Sequence, residues 1–237
     1  MTNYQIFNVV NILLNKDDKG QYQLDQFNDI LPAEARNYFD YVLRRYDNDW
    51  KARKSLRPFL RETDSATIRG SGSISYETVV DNFAKILEMR VHESGRFVEE
   101  VDNIGDWYDR LDSKIKEPTA KHPIARLKSG DIEIKPSSVG TIDIYYLEYP
   151  TEPYMDGYYD SDSQFQYLGE GETVDLDATG GTGLDGSTSG TYTSSTVELD
   201  FYDEDKLEIA SRILADLGVS HNKQSLVQYA NMMRSED

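Results

Sequence analysis

The segment Asn15-Lys16-Asp17-Asp18-Lys19-Gly20-Gln21-Tyr22-Gln23-Leu24-Asp25-Gln26 has the length and central glycine of a calcium-binding loop between two helices. Its donors do not suit the ion. Such a loop needs an oxygen at its fifth position and a bidentate carboxylate at its twelfth, where Lys19 and Gln26 stand. The expectation is a polar inter-helix turn without metal. His92, His122 and His221 are far apart in sequence, and none forms the His-x-x-x-His spacing that sets two imidazoles on one helix face. The chain contains no cysteine, which excludes thiolate catalysis, disulfides and cysteine-ligated zinc together. Asp160 with Asp162, and Glu170 with Glu172, bring carboxylates together as a cation site or an acid–base pair would. They lie in a Gly/Ser/Tyr-rich tract, however, where solvation is the simpler role. The turn Gly70-Ser71-Gly72-Ser73 lacks the lysine of a phosphate-binding loop, and no nucleophile-elbow or dinucleotide motif occurs. The expectation is a non-enzymatic protein with no catalytic residue, no cofactor and no metal.

Charge is the stronger signal. A formal charge of −18 opposes the phosphate-neutralising mode of nucleic-acid binding, because acidic residues repel DNA and release no counterions. The charge is also unevenly distributed. Arg44, Arg45, Lys51, Arg53, Lys54, Arg57 and Arg61 crowd a short span, whereas no Lys or Arg occurs between Pro136 and Asp205. This latter stretch is rich in Asp and Glu, among them Asp156, Asp160, Asp162, Glu170, Glu172, Asp175 and Asp177. The basic group is a candidate interface, and the acidic group a candidate acidic surface that such an interface would meet.

The elements that must position these groups read as α+β: N-terminal helices, a small antiparallel β-sheet with a long flexible insertion, then C-terminal helices. Ile6, Val9, Val10, Leu13 and Leu14 recur at helical spacing. Phe27, Ile30 and Leu31, then Ala35, Tyr38, Phe39, Val42, Leu43 and Tyr46, form another stripe in which Pro32 starts a helix or kinks a longer one. These make a helical segment over residues 1–62, and residues 51–76 read as a basic connector. Residues 63–150 read as the sheet with one short helix, IGDWYDRLDSK. A hairpin turns at Ser94-Gly95, another turns through residues 128–131, and Ile142, Ile144 and Tyr146 share one face of a later strand. Residues 151–196 have little to bury and read as a mobile surface excursion. Residues 197–237 return to helix, with Leu207, Ala210, Ile213, Leu214 and Leu217 before Gly218, and a last stripe of Leu226, Val227, Ala230 and Met233. The start MTNYQIFNVVNILLNKDD lacks a basic n-region and alternates apolar residues with Asn, so neither a signal peptide nor a membrane span is expected.

Four stretches carry a resemblance to the head-to-tail neck proteins of crAss-like and related tailed phages of Bacteroidetes. They are NKDDKGQYQLDQFNDILPAEARNYFDYVL, DWYDRLDSKIKEPTAKHPIARLKSGDIEIKPSSVGTIDIYYLEYPTEP, VELDFYDEDKLEIASRILADLGV and QSLVQYANMMR. The opening stretch is similar to the family's N-K-x-x-x-G start followed by D-x-F-N. The longest stretch resembles the family's acidic helix, P-T-x-x-x-P-I-A turn and Y-P-x-x-P block. The Gly/Ser/Thr tract near residue 180 departs from the family's shorter members. The resemblance implies a virion protein assembled in the host cytoplasm and placed in the neck between capsid and tail. There it would form a closed ring, twelvefold by family likeness, against the portal and other neck or tail proteins. DNA would pass through without specific binding, and no membrane would be met. An acidic bore would repel phosphate, and oppositely charged ends suit head-to-tail contacts. Two other classes compete: a tyrosine-rich carbohydrate- or protein-binding module, and a metal-assisted hydrolase built on the acidic tract.

Overall fold

A computed structural model describes residues 1–16, 22–68, 72–75, 82–128 and 130–218. The calcium-loop positions Asp17 to Gln21, the turn residues Gly70 and Ser71, His221 and the last helical stripe lie outside the described residues. The fold is α+β, with helices at both ends of the described chain and antiparallel sheets between them. The chain divides into two units. One comprises Met1–Pro58 with the chain from Pro150 onward, and the other is Phe59–Tyr149. The N-terminal helices, the acidic tract and the C-terminal helix therefore share one unit.

In the first unit, helix α1 (Asn3–Lys16) buries Ile6, Val9, Val10, Leu13 and Leu14, the residues its spacing predicts. Helix α2 (Leu24–Leu43) is continuous through Pro32 and buries Phe27, Leu31, Ala35, Tyr38, Phe39 and Val42. Its start is a capping box in which Gln23 and Gln26 exchange side-chain and backbone bonds, satisfying donors that a helix start leaves open. The Phe7 and Phe27 rings meet edge-on, 5.2 Å apart, and join α1 to α2. Of the connector expected at residues 51–76, the first part is helix α3 (Trp50–Ser55), capped by Asp49, which accepts from the Lys51 N–H.

Past a 3-10 turn at Arg57–Phe59, the second unit takes up the connector in strand β1 (Leu60–Thr67). The other strands here are β2 (Ser73–Ser75), β3 (Phe83–Val91), β4 (Glu99–Glu100), β5 (Ile124–Lys128), β6 (Asp131–Lys135) and β7 (Thr141–Glu148). They form two sheets in place of the single one expected, ordered β1-β7-β3 and β2-β6-β5-β4. Only β4–β5 is parallel among these pairings. Ile142, Ile144 and Tyr146 of β7 lie in one apolar cluster with Ile132 and Ile134 of β6 and Met89 of β3. The hairpin turn at Gly95 is present: Gly95 takes φ +63° and its N–H bonds the Val91 carbonyl, a backbone conformation in which glycine meets no steric penalty. Its return arm makes a single bridge, Arg90 to Phe97, before β4 turns to β5. Helix α4 (Ile104–Asp112), capped by Asn103, buries Trp107 against Val101 and Ile124. The Arg126 guanidinium lies over that ring at 5.0 Å.

Trp107 is the largest fully buried side chain among the described residues. Trp107→Ala should cost about 3–5 kcal/mol, the range for deleting a buried aromatic. Urea unfolding followed by circular dichroism checks this. A loss below about 1 kcal/mol would show that α4 does not pack as described.

Candidate functional site

Residues 151–196, expected as a mobile excursion with little to bury, carry regular structure here. Strand β8 (Asp156–Tyr159) pairs with β9 (Phe165–Leu168) on one side and β11 (Thr182–Gly183) on the other, and β10 (Thr173–Asp175) pairs with β12 (Thr191–Thr193). Helix α5 (Leu176–Thr179) makes one turn between them. The apolar content is small, as composition implies: Leu168, Leu176 and Tyr192 are buried, with Tyr158 and Val174 packed against them. Polar contacts do the rest.

Asp156 is the centre of those contacts. Expected on an acidic surface, it is instead 1% exposed. Its Oδ1 accepts from the Tyr192 hydroxyl and the Gly157 N–H, and its Oδ2 accepts from the N–H and the hydroxyl of Ser195, all at 2.7 Å. Its own N–H donates to Thr196 Oγ1. The Thr196 and Ser194 hydroxyls both donate to the Leu168 carbonyl. One carboxylate thus ties β8 to the far end of the tract. Burial alone would raise the Asp156 carboxyl, but the bonds from Ser195, Tyr192 and Gly157 outweigh it and hold the group below the usual carboxylate range. Burial and the bond to Asp156 push the Tyr192 phenol above its ordinary value. Gly157 is required by space: a Cβ there would stand 2.2 Å from the Gln166 carbonyl oxygen.

The remaining acidic candidates face outward, and most hold turns. Asp160 accepts from the Asp162 and Gln164 N–H groups and from the Gln166 amide. Glu172 accepts from the Gly169 N–H. Asp175 caps α5 by accepting from Asp177 and Ala178, and Asp177 accepts from the Gly190 N–H. Asp162 and Glu170 are exposed. In a tract of Gly, Ser and Thr, short carboxylates satisfy backbone donors that no ladder reaches. Two asparagines fasten its base. Asn28 of α2 exchanges two hydrogen bonds with the Met155 backbone, and fully buried Asn3 donates to the Val197 carbonyl and accepts from the Leu199 N–H.

The basic candidates divide between the units. Arg61 lies in the second, 2.8 Å from Glu148. The other six lie between the end of α2 and the 3-10 turn that follows α3. Arg45 pairs with Asp49 and donates to the Tyr41 hydroxyl. Arg53 donates to the Tyr46 and Asp47 carbonyls, closing the turn between the helices, and Lys54 lies 3.6 Å from Glu204. Arg44, Lys51 and Arg57 are exposed and make no ion pair among the described residues.

Sequence reasoning missed the cleft beside them. Helix α6 (Asp203–Asp216) buries Asp205, Lys206, Ile209, Ala210, Ile213 and Leu214, while Leu207, expected on the buried face, is half-buried. The helix is rotated toward its polar contacts: Asp205 Oδ1 receives the Tyr38 and Ser55 hydroxyls at 2.6 and 2.7 Å, and Lys206 reaches the Met1 carbonyl. Burial, then the bond to Asp205, raises the Tyr38 phenol. Between α2, α3 and α6 lies an open cleft of about 530 Å³ whose walls include Tyr38, Tyr41, Arg45, Trp50, Asp205 and Glu208. The one signal in the sequence was Trp50 itself, a large aromatic residue in a run that is mostly charged or polar.

Among the described residues, no group of three or more His, Asp or Glu side chains is arranged to hold a metal ion, and no helix is long and apolar enough to cross a membrane.

Asp156→Asn keeps the size but sets an amide donor against hydroxyl and N–H donors, and should destabilise the first unit by about 3 kcal/mol. The native group should also give the tract an acid transition. Because its folded pKa lies below the unfolded one, its contribution is complete above about pH 3.9 and lost as the pH falls through the lower folded value. Proteolysis within residues 156–196 should therefore rise in that acid window in the native chain, and already at pH 7 in the variant. Equal resistance of the two chains at pH 7 would contradict the role given to Asp156.

No protein-family model matches the chain, and no curated protein matches it.

Proposed function

We propose that this chain is a non-enzymatic structural subunit of a tailed-phage virion, forming a closed ring in the neck that joins portal to tail and gives passage to DNA. One observation carries the reading beyond the resemblance: within a single unit, α2 runs from the start of the acidic tract to the first of the basic residues. Asn28, in its N-terminal half, clips the start of the acidic tract, while Arg44 and Arg45 stand past its C-terminal end. At 1.5 Å per residue these points are about 24 Å apart along the axis. A subunit that carries the exposed Arg44 and Arg57 in one place and the acidic tract in another has complementary surfaces for a head-to-tail contact, which closes into a ring when the rotation between copies permits. Exposed ion pairs add about 0–1 kcal/mol each, but they recur at every interface and steer approach.

The alternative reading, a carbohydrate- or protein-binding module, draws support from Tyr41 and Trp50, both exposed on the cleft wall. Exposed aromatics serve sugars and protein partners alike.

Reversing Arg44 and Arg57 to Glu leaves the internal bonds of Arg45, Arg53 and Lys54 in place. The double variant should keep its unfolding midpoint and assemble at least tenfold more weakly by sedimentation, and added salt should weaken assembly of the unaltered protein. Electron microscopy of the unaltered protein with a neck portal should show rings. Monomers at all concentrations that bind glycans would favour the alternative reading.

A further inference from the structure

The α2–α3–α6 cleft has features that a simple meeting of charged ends leaves unused. Trp50 is 68% exposed and Tyr41 44% exposed on its walls, with Val42 and Ala52 behind them. Trp, Tyr and Arg are the residue types that carry most binding energy at protein interfaces. The Tyr41 ring is flanked by two guanidiniums, Arg45 at 5.4 Å and Arg212 at 4.8 Å from its centroid. The rim is set in advance by the Arg45–Asp49 and Lys54–Glu204 pairs. Its lining carboxylates, Asp49, Glu204, Asp205 and Glu208, outnumber its cations, Arg45, Lys51 and Lys54. Asp205 takes both hydroxyl donors on Oδ1, and its Oδ2 has no partner among the described residues. The cleft therefore suits a short apolar group flanked by positive charge.

The second unit presents such a group. Ile115, 95% exposed, is the most exposed large apolar side chain among the described residues, and it stands between Lys114 and Lys116 in the turn after α4. That turn is shaped before it meets anything, because the Ile115 and Lys116 N–H groups both bond the Ser113 hydroxyl. Exposed isoleucine at a preformed turn costs little conformational entropy on docking.

We propose that the Lys114-Ile115-Lys116 turn of one copy of this chain seats in the α2–α3–α6 cleft of the next, with Ile115 against Trp50 and Tyr41 and the lysines beside Asp205 and Glu208. This rests on the reading of the chain as a self-assembling ring subunit and names a contact that holds the ring. Turn and cleft are different surfaces, so each copy gives one and receives the other, as a cyclic assembly requires. Arg44 and Arg57 lie outside the cleft lining and stay available to the acidic tract.

The native chain has no cysteine, so single introduced thiols report one contact cleanly. Full-length Ile115→Cys and Lys51→Cys variants, mixed and mildly oxidised, should give the mixed disulfide in large excess over either like pair. In parallel, Ile115→Asp should leave the unfolding midpoint unchanged and weaken self-association at least tenfold by sedimentation. Disulfides in random proportion, with assembly retained and unaffected by Ile115→Asp, would overturn the turn-in-cleft contact and leave the ring reading standing. A chain that stays monomeric at every concentration would overturn both.

Discussion

The first unit depends on one buried carboxylate. A Gly/Ser/Thr tract lacks the apolar area that normally offsets the entropy of ordering a chain. Asp156 supplies an alternative. It gathers donors from Gly157, Tyr192 and Ser195, the last two remote from it in sequence, around one fully buried group. A carboxylate is stable in such a place only when its oxygens are satisfied, so the network is cooperative: weakening one donor leaves the charge less compensated for the rest. The same logic runs outward through Asp160, Glu172, Asp175 and Asp177, each accepting backbone N–H groups. The acidity of the tract is thus part of how it folds, and the negative face it presents follows from that.

This explains which parts of the fold were legible. Helices α1 and α2 and strand β7 were readable because each buries a stripe that repeats with the period of its own backbone. Strand β1, LRETDSAT, shows no such period, and its conformation is decided by pairing to β7, which no local pattern records. The order of the acidic tract was illegible for a related reason. It comes from hydrogen bonds such as Asp156 to Ser195, and long-range polar contacts leave no repeating signature.

The candidate surfaces were legible in part. The clustering of Arg and Lys after α2, and of Asp and Glu in the tract, is visible in sequence. What is not visible is the division of labour inside each cluster. Asp156 folds the tract, Arg53 closes a turn and Arg61 belongs to the other unit, whereas Arg44, Lys51 and Arg57 are exposed and make no ion pair among the described residues. The cleft was invisible because Tyr41, Trp50 and Asp205 come from three different helices. Preorganisation links these observations to the proposed assembly: a surface already fixed by its own hydrogen bonds would lose less freedom on meeting a neighbour.

The central claim is that the acidic tract is an ordered body in the free subunit, before any partner is met. Residue-resolved hydrogen exchange on the isolated chain at pH 7 tests it most directly. The Gly157 and Ser195 amides, both bonded to Asp156, should exchange on the timescale of the α1 and α6 core amides. Exchange of those two amides at the rate of unstructured chain, while α1 and α6 stay protected, would contradict it.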